Sequence, residues 1–223
     1  MSVPNGKLCP IIENDRVGHD ELAGAYAQHR GYDIYAGHYG RDIFAAVGDG
    51  HVCITNFRHP VSRLLSLYNF FRHVVVLDDA QQREIRFRAV MLAKKAGFRE
   101  FVASDDPYVD VYLRNQHFRQ LTGSCWSLDD RGDLGEAWRF IDAMPCYYVC
   151  EFPELSRAWM RETLALTDIP VLNVTGHEEQ AVNRSALDGE TCRLICAKNQ
   201  RDIALYAHAV ARLLRVGDGA PGL

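Results

Sequence analysis

Arg58 and Ser66, in "HVCITNFRHPVSRLLSLYNFFRH" (51–73), are residue types that bind anions. A guanidinium offers a planar fork of donors that matches a phosphate or sulfate, and a hydroxyl adds one more donor. Val52, Ile54 and Phe57 give the segment before Arg58 strand character, and Pro60 stands where the first helical turn accepts proline. Val61, Leu64, Leu65, Tyr68 and Phe71 then recur at helical spacing, with Ser62 and Ser66 one turn apart on the other flank. The expected element is strand, tight turn and helix, with Arg58 at the carboxyl end of the strand. In open α/β sheets ligands bind at that edge, and the helix amino-terminus beside it favours anions. The same pattern fits an Arg58 that pairs with a surface carboxylate and a Ser66 that its helix tolerates. On pattern alone both readings stand.

The elements that must hold this unit follow from the rest of the chain. Residues 19–30 have helical spacing and 32–36 read as a strand. Residues 51–57 form a stronger strand, followed by a helix from Pro60 to about Arg72. Residues 80–103 predict a long helix or a broken pair, and 110–121 another helix. A helix at 133–143 is separated by Pro145 from a strand at 146–150. A further helix follows in "FPELSRAWMRETLAL", with Leu155, Trp159 and Leu164 on its apolar side. Residues 186–215 supply two helical stretches, and 214–223 make a frayed tail. Strands alternating with helices predict α/β layering around a mostly parallel sheet. No repeat, low-complexity tract or linker interrupts the sequence, so one domain over 1–223 is expected.

At 223 residues the chain is long enough for one sizeable buried core. A net charge of −4 argues against a general nucleic-acid coat, which needs a basic excess. No apolar stretch approaches the ~18 residues that span a bilayer, and "MSVPNGKLCP" lacks a signal pattern. A soluble, cytoplasmic protein is expected. The 7 cysteines are an odd number and cannot all pair within one chain. Cys146–Cys150 and Cys192–Cys196 share a C-x3-C spacing, but the first pair reads as strand, the second as helix, and no histidine completes a zinc site. Free buried thiols in a reducing compartment, and no metal, are the expectation.

Beyond these patterns, "RHPVSRLLSLY" resembles the Arg-Asp-Pro-x-x-Arg-x-x-Ser-x-Tyr motif of the carbohydrate sulfotransferase family, with Arg58, Pro60, Arg63, Ser66 and Tyr68 in place. "YAGHYG" (35–40) is similar to the Gly-His-Phe/Tyr-Gly region upstream of that motif, and "RNQHFRQLTG" (114–123) to its Asn-x-x-x-x-x-Leu-x-Gly segment. "YYVCEFPELSRAWMRETLAL" resembles a later strand and helix, and "NQRDIALYAHAVARL" the closing Asn-x-x-Asp-x-x-Leu-Tyr helix. The resemblance covers roughly residues 32 to 213, in order. It implies a three-layer, P-loop-like sulfotransferase fold with a mostly parallel central sheet flanked by helices. It implies transfer of a sulfuryl group from 3′-phosphoadenosine 5′-phosphosulfate to a hydroxyl of a carbohydrate or other small acceptor, without metal. Arg58 and Ser66 would hold the donor's 3′-phosphate, joined by Arg63, while Asn183 and Ser185 lie in a loop of the kind that approaches the nucleotide. As in the hexuronic-acid 2-O-sulfotransferases, closest in type to heparan sulfate 2-O-sulfotransferase, His38 would be the base. A neutral imidazole can take the acceptor's proton as its oxygen attacks sulfur. A histidine that orders the Gly37–Gly40 turn is the plainer alternative.

The sequence departs from the family in two places. His59 stands where the motif has aspartate. No Pro-Lys-x-Gly-Gly-Thr-Ser type loop for the 5′-phosphosulfate is found, and "PNGKLCP" does not replace it. The segment from Lys7 onward resembles the part of the family just after the first helix, so the expectation is a chain that begins about two dozen residues late. The first strand and loop would then be missing, through a misassigned start or in a remnant that binds nucleotide or glycan without turnover. A small-molecule kinase is disfavoured by the missing Gly-Lys-Ser/Thr. Arg83, Arg86, Arg88, Lys94, Lys95 and Arg99 make 83–99 basic, which suits an anionic polysaccharide or a solvated helix face. Trp126 could stack on a sugar, whereas Trp138 and Trp159 are expected in the core.

Overall fold

The computed structural model describes residues 7, 30–35, 37–47, 50–123, 126–165, 182 and 187–217. Two compact units interleave along the chain. Unit 1 takes Met1–Phe57, His117–Ile169 and Leu205–Leu223, and unit 2 takes Arg58–Gln116 and Pro170–Ala204. In chain order the elements begin with α1 (Ile43–Val47), β1 (Asn56–Phe57) and α2 (Pro60–Asn69), which widens into a π turn at Phe70–Val74. Short 3-10 turns at Gln81–Arg83 and Ile85–Phe87 lead to α3 (Arg88–Lys95), α4 (Phe98–Ala103), α5 (Pro107–Leu113) and α6 (Gln116–Thr122). Then come α7 (Leu134–Ala143), β2 (Tyr148–Val149), α8 (Pro153–Leu164), α9 (Gly189–Lys198) and α10 (Gln200–Gly217). The described chain is thus mostly helical with one parallel strand pair, an arrangement compatible with an α/β fold. None of its helices is long and apolar enough to cross a membrane.

Unit 1 is organised around that pair. Asn56 lies opposite Tyr148 and Phe57 opposite Val149, in parallel. The Tyr148 N–H donates to the Thr55 carbonyl at 3.0 Å and the Cys150 N–H to that of Phe57 at 2.9 Å. Phe57, Tyr147 and Val149 are buried with Phe118, Ile141, Trp159, Leu205 and Leu213 in one core. Tyr147 donates its hydroxyl hydrogen to the Ala209 carbonyl at 2.8 Å, so the polar end of a buried ring is satisfied. Ser156 serves β2 from α8, its Oγ accepting from the Val149 N–H at 2.9 Å. Helix α7 starts at Asp133, whose carboxylate accepts from the Gly135 and Glu136 N–H groups, the usual service of an N-cap.

Unit 2 packs α2 against α3, α4, α5 and α9. Val61, Leu64, Leu65, Tyr68 and Phe71 meet Ala93, Phe101, Val102, Leu113 and Ile195 in a second core. Tyr68, 2% exposed, donates to the Ala96 carbonyl at 2.8 Å. The Arg72 guanidinium caps the same helix end by donating to the carbonyls of Ala93 and Ala96 at 2.7 and 2.9 Å. Proline opens α5 behind an Asp106 cap, and Asp188 caps α9 by accepting from the Thr191 N–H.

Several sequence expectations change. Of 51–57 only Asn56–Phe57 pair as strand; Val52 and Ile54 are exposed, since no described strand pairs with their backbone. Within 32–36 the described residues make a bend with a single bridge at Ile34 rather than a strand. The helix expected to reach Arg72 gives way after Asn69 to the π turn. The 80–103 stretch takes the broken-pair alternative of its expectation, whereas 110–121 is interrupted at Asn115, whose φ of 40° lies in the left-handed region. Trp138 is not core: it is exposed and stacks on His208 at 5.5 Å, because the inward positions of α7 are Ala137 and Ile141. Leu155 is likewise exposed, while Trp159 is buried as expected. Helix α10 stays regular through Gly217, beyond the point where fraying was expected. The helix expected at 19–30 lies outside the described residues apart from Arg30.

Candidate anion-binding site

Helix α2 owes its start to two adjacent residues. Pro60 at the first helical position has no N–H to satisfy. His59, extended at φ −56° and ψ 132°, accepts from the Val61 N–H through Nδ1 at 3.3 Å. Its carbonyl accepts from the Arg63 N–H at 2.9 Å. The first turn holds no acidic residue. Arg58, next after β1 in the chain, is half-buried, and its guanidinium forms no ion pair or hydrogen bond with any described residue. The carboxylate partner of the plainer reading is therefore not found among the described residues. Ser62 and Ser66 follow on α2, half-buried, and neither hydroxyl has a partner among the described residues.

Arg63 is engaged otherwise. Its Nη1 donates to the Tyr112 carbonyl at 2.9 Å and to Gln116 Oε1 at 2.6 Å, and its Nη2 to Asn199 Oδ1 at 3.5 Å. Asn199 is fully buried. Its Oδ1 also accepts from the Asn115 N–H at 3.1 Å, and its Nδ2 donates to Ile195 O at 2.9 Å. Asn115 in turn accepts at Oδ1 from the Arg201 N–H at 3.2 Å. The ends of α5 and α9 and the starts of α6 and α10 thus meet at one polar hub. Arg63 belongs to that hub through three side-chain bonds, while Arg58 and Ser66 do not.

Asn183 and Ser185 lie outside the described residues. Their neighbour Val182 is held on both sides by Asn69, which donates to its carbonyl and accepts from its N–H, each at 3.1 Å.

His38 belongs to unit 1, in a loop pinned on its carboxyl side. The Arg41 N–H donates to Gln120 O at 2.7 Å and the Asp42 N–H to Gly123 O at 3.2 Å; Gln120 Nε2 donates to Tyr39 O at 2.7 Å. Arg41 also pairs with Glu136 and lies over the Phe140 ring. Tyr39 and Ile43 bury themselves with Tyr35, Phe44, Val47 and Trp126. His38 itself is exposed, with its ring edge-on to Trp126 at 6.4 Å. The loop that brings Trp126 there closes tightly: at Gly132 a Cβ would fall 2.6 Å from that of Thr122. Asp42 adds a group that sequence reasoning missed. Burial pushes its carboxyl up to about 6, against which the Asp42 and Ile43 backbone N–H groups act only in part. One of its oxygens is buried without a hydrogen-bond partner among the described residues.

Most of the basic residues at 83–99 are engaged. Arg86 pairs with Glu84, Arg88 with Asp106 and Arg99 with Glu190, and Lys94 donates to the Arg72 carbonyl. The side chains of Arg83 and Lys95 have no partner among the described residues. Both line a cleft of about 380 Å³ together with Arg88, Met91, Ile85 and Glu84. The solvated-face reading thus fits part of the segment, and a cleft with two unpaired cations accounts for the rest.

The described cysteines, Cys53, Cys146, Cys150, Cys192 and Cys196, are free, and Cys146 alone among them is fully buried. Burial pushes the Cys53 thiol up to about 11, so it is a poor nucleophile at neutral pH. His59 as a cap carried a readable signal, a side chain with an acceptor just before a proline that opens a helix. The Arg63–Asn115–Asn199 hub carried none, since its members are far apart in sequence. Compared with family models, with curated proteins and with solved structures, the chain matches none.

Proposed function

We propose that the chain is a sulfotransferase-like protein of the carbohydrate type, with Arg58 and Ser66 gripping the 3′-phosphate of 3′-phosphoadenosine 5′-phosphosulfate. The observation that carries this reading is the state of Arg58: a half-buried guanidinium, next after Phe57, the buried residue of a parallel strand, that no described carboxylate claims. An arginine in that setting is partly withdrawn from water, and an anion that paired with it would offset that cost. The Ser66 hydroxyl, two turns along the helix and likewise unclaimed, supplies a donor of the same kind. The fold would be the three-layer, P-loop-like one of that family, of which the described parallel pair would form part of the sheet.

In the reaction an acceptor oxygen attacks sulfur, the bond from sulfur to the bridging phosphate oxygen breaks, and His38 takes the hydroxyl proton. The cleft lined by Arg83, Arg88 and Lys95 supports an acceptor that is itself anionic, such as a carboxylated or sulfated saccharide.

Titration calorimetry with 3′-phosphoadenosine 5′-phosphate and adenosine 5′-monophosphate tests the reading. Arg58→Ala should weaken the first by about 2–3 kcal/mol, as for a lost charge-assisted pair, and the second far less. Equal losses would make Arg58 a support of the fold and sink the proposal. Nucleotide binding without sulfuryl transfer to any saccharide or small alcohol would reduce the protein to a binder of the same ligand.

A further inference from the structure

We infer that His59 is a positioning residue for the grip of Arg58 and Ser66, acting as a neutral cap in the place where the motif it resembles carries a carboxylate. The inference rests on the function proposed above. Residue 59 lies between Arg58 and the helix that carries Ser66, so its conformation sets the direction in which Arg58 leaves the chain relative to Ser66. That conformation is fixed twice. Nδ1 accepts from the Val61 N–H at 3.3 Å, and the carbonyl accepts from the Arg63 N–H at 2.9 Å. An imidazole accepts at Nδ1 only when that nitrogen carries no proton, so the ring must hold its hydrogen on Nε2. The cap therefore brings no negative charge into the first turn, where no acidic residue stands either. Among the described residues, no acidic side chain of the first turn and no ion pair to Arg58 opposes an incoming anion at the positive end of α2. With Pro60 contributing no N–H and the Val61 N–H already engaged, the hold on a phosphate falls on Arg58 and the serines, whose geometry the cap fixes in advance.

The test uses the whole chain and three forms: unchanged, His59→Ala and His59→Asn. Asparagine keeps a neutral acceptor, Oδ1, at the same number of bonds from the backbone as the histidine Nδ1, and it is a strong N-cap. Calorimetry with 3′-phosphoadenosine 5′-phosphate and with adenosine 5′-monophosphate gives the ligand-specific readout, and nitrogen-15 spectra of the imidazole give the tautomer. His59→Ala should lose about 5–10-fold in affinity for the 3′-phosphorylated nucleotide, as for a lost cap, with the monophosphate nearly unchanged. His59→Asn should recover most of that loss, and the spectra should show Nδ1 unprotonated. Equal losses for both nucleotides, no recovery with asparagine, or a proton on Nδ1 each overturn the inference. If the unchanged chain shows no preference for the 3′-phosphate, the functional reading itself falls, and the positioning role with it. A failure confined to the His59 variants removes this inference alone.

Discussion

His38 and Arg58 illustrate opposite ways in which a side chain is made available. His38 is exposed, yet the loop beside it is pinned by three hydrogen bonds to Gln120 and Gly123, so an accessible ring stands on a fixed backbone. A general base needs both properties: reach to the acceptor hydroxyl and little freedom to wander from it. His38→Ala should therefore cut sulfuryl transfer by roughly 10²–10⁴ while leaving nucleotide affinity intact, the usual range for a lost base. Near-full transfer by the variant, measured with radiolabelled donor, would return His38 to the role of a loop residue. Arg58 is half-buried and lacks a described protein partner, which is the costlier arrangement and the one that calls for a ligand. Both residues could be singled out as candidates from the chain because short motifs surround them. Asp42 was not, because its raised titration comes from burial by distant segments and no local spacing encodes that.

At the scale of elements, helix starts were easy to read and strand extents were not. Pro60, Pro107 and Pro153 open α2, α5 and α8, and Asp106, Asp133 and Asp188 cap α5, α7 and α9, each through bonds to residues two or three positions ahead. Such signals are local. A strand is defined by its partner, and the apolar alternation of 51–57 exceeds the two residues that β2 pairs with. The interruption at Asn115 was hidden for the same reason: its left-handed backbone is held by Asn199, which also receives Arg63. That hub gives Arg63 a structural task. Arg63→Ala should lower the unfolding free energy by about 2–3 kcal/mol, since hydrogen bonds from a charged group are lost and buried acceptors are left unmet. It should barely change the ratio of affinities for 3′-phosphorylated and unphosphorylated nucleotide. A collapse of that ratio, with stability preserved in urea titration, would return Arg63 to the ligand.

For the molecule as a whole, pH acts through carboxyl groups of opposite sign. Asp129 is held down to about 2 by hydrogen bonds from Arg131, and Asp188 is lowered by the Thr191 N–H and hydroxyl it accepts from. Both favour the folded state above their unfolded titration and lose that contribution as pH falls, but both are solvent-screened. Asp42 works the other way. Its folded value near 6 lies above its ordinary 3.8, so its contribution is fully present below 3.8 and is lost as pH rises through about 6. Asp42→Asn should therefore stabilise the chain by about 1–2 kcal/mol at pH 7.5, after allowance for solvent screening. The gain should vanish near pH 4, because the native carboxyl is then protonated. Urea unfolding at both pH values decides it, and a gain independent of pH would remove the carboxyl from the account.

The interleaving of the two units has a consequence for biosynthesis. Unit 1 draws on the beginning, the middle and the end of the chain, and its core needs Leu205, Ala209 and Leu213 from α10. A ribosome makes those residues after every other buried member of either core. Until they emerge, Phe57, Tyr147, Val149 and Trp159 have no complete set of partners, however far synthesis has gone. Parallel pairing of β1 with β2 also waits on closure of a loop of roughly 90 residues, an entropic cost met before any ladder bond returns it. Unit 2 needs α9 but little beyond it, so the nascent chain can consolidate that half first. The half that carries His38 is completed only once α10 has emerged, and until then it is the segment most exposed to aggregation and most in need of chaperone cover.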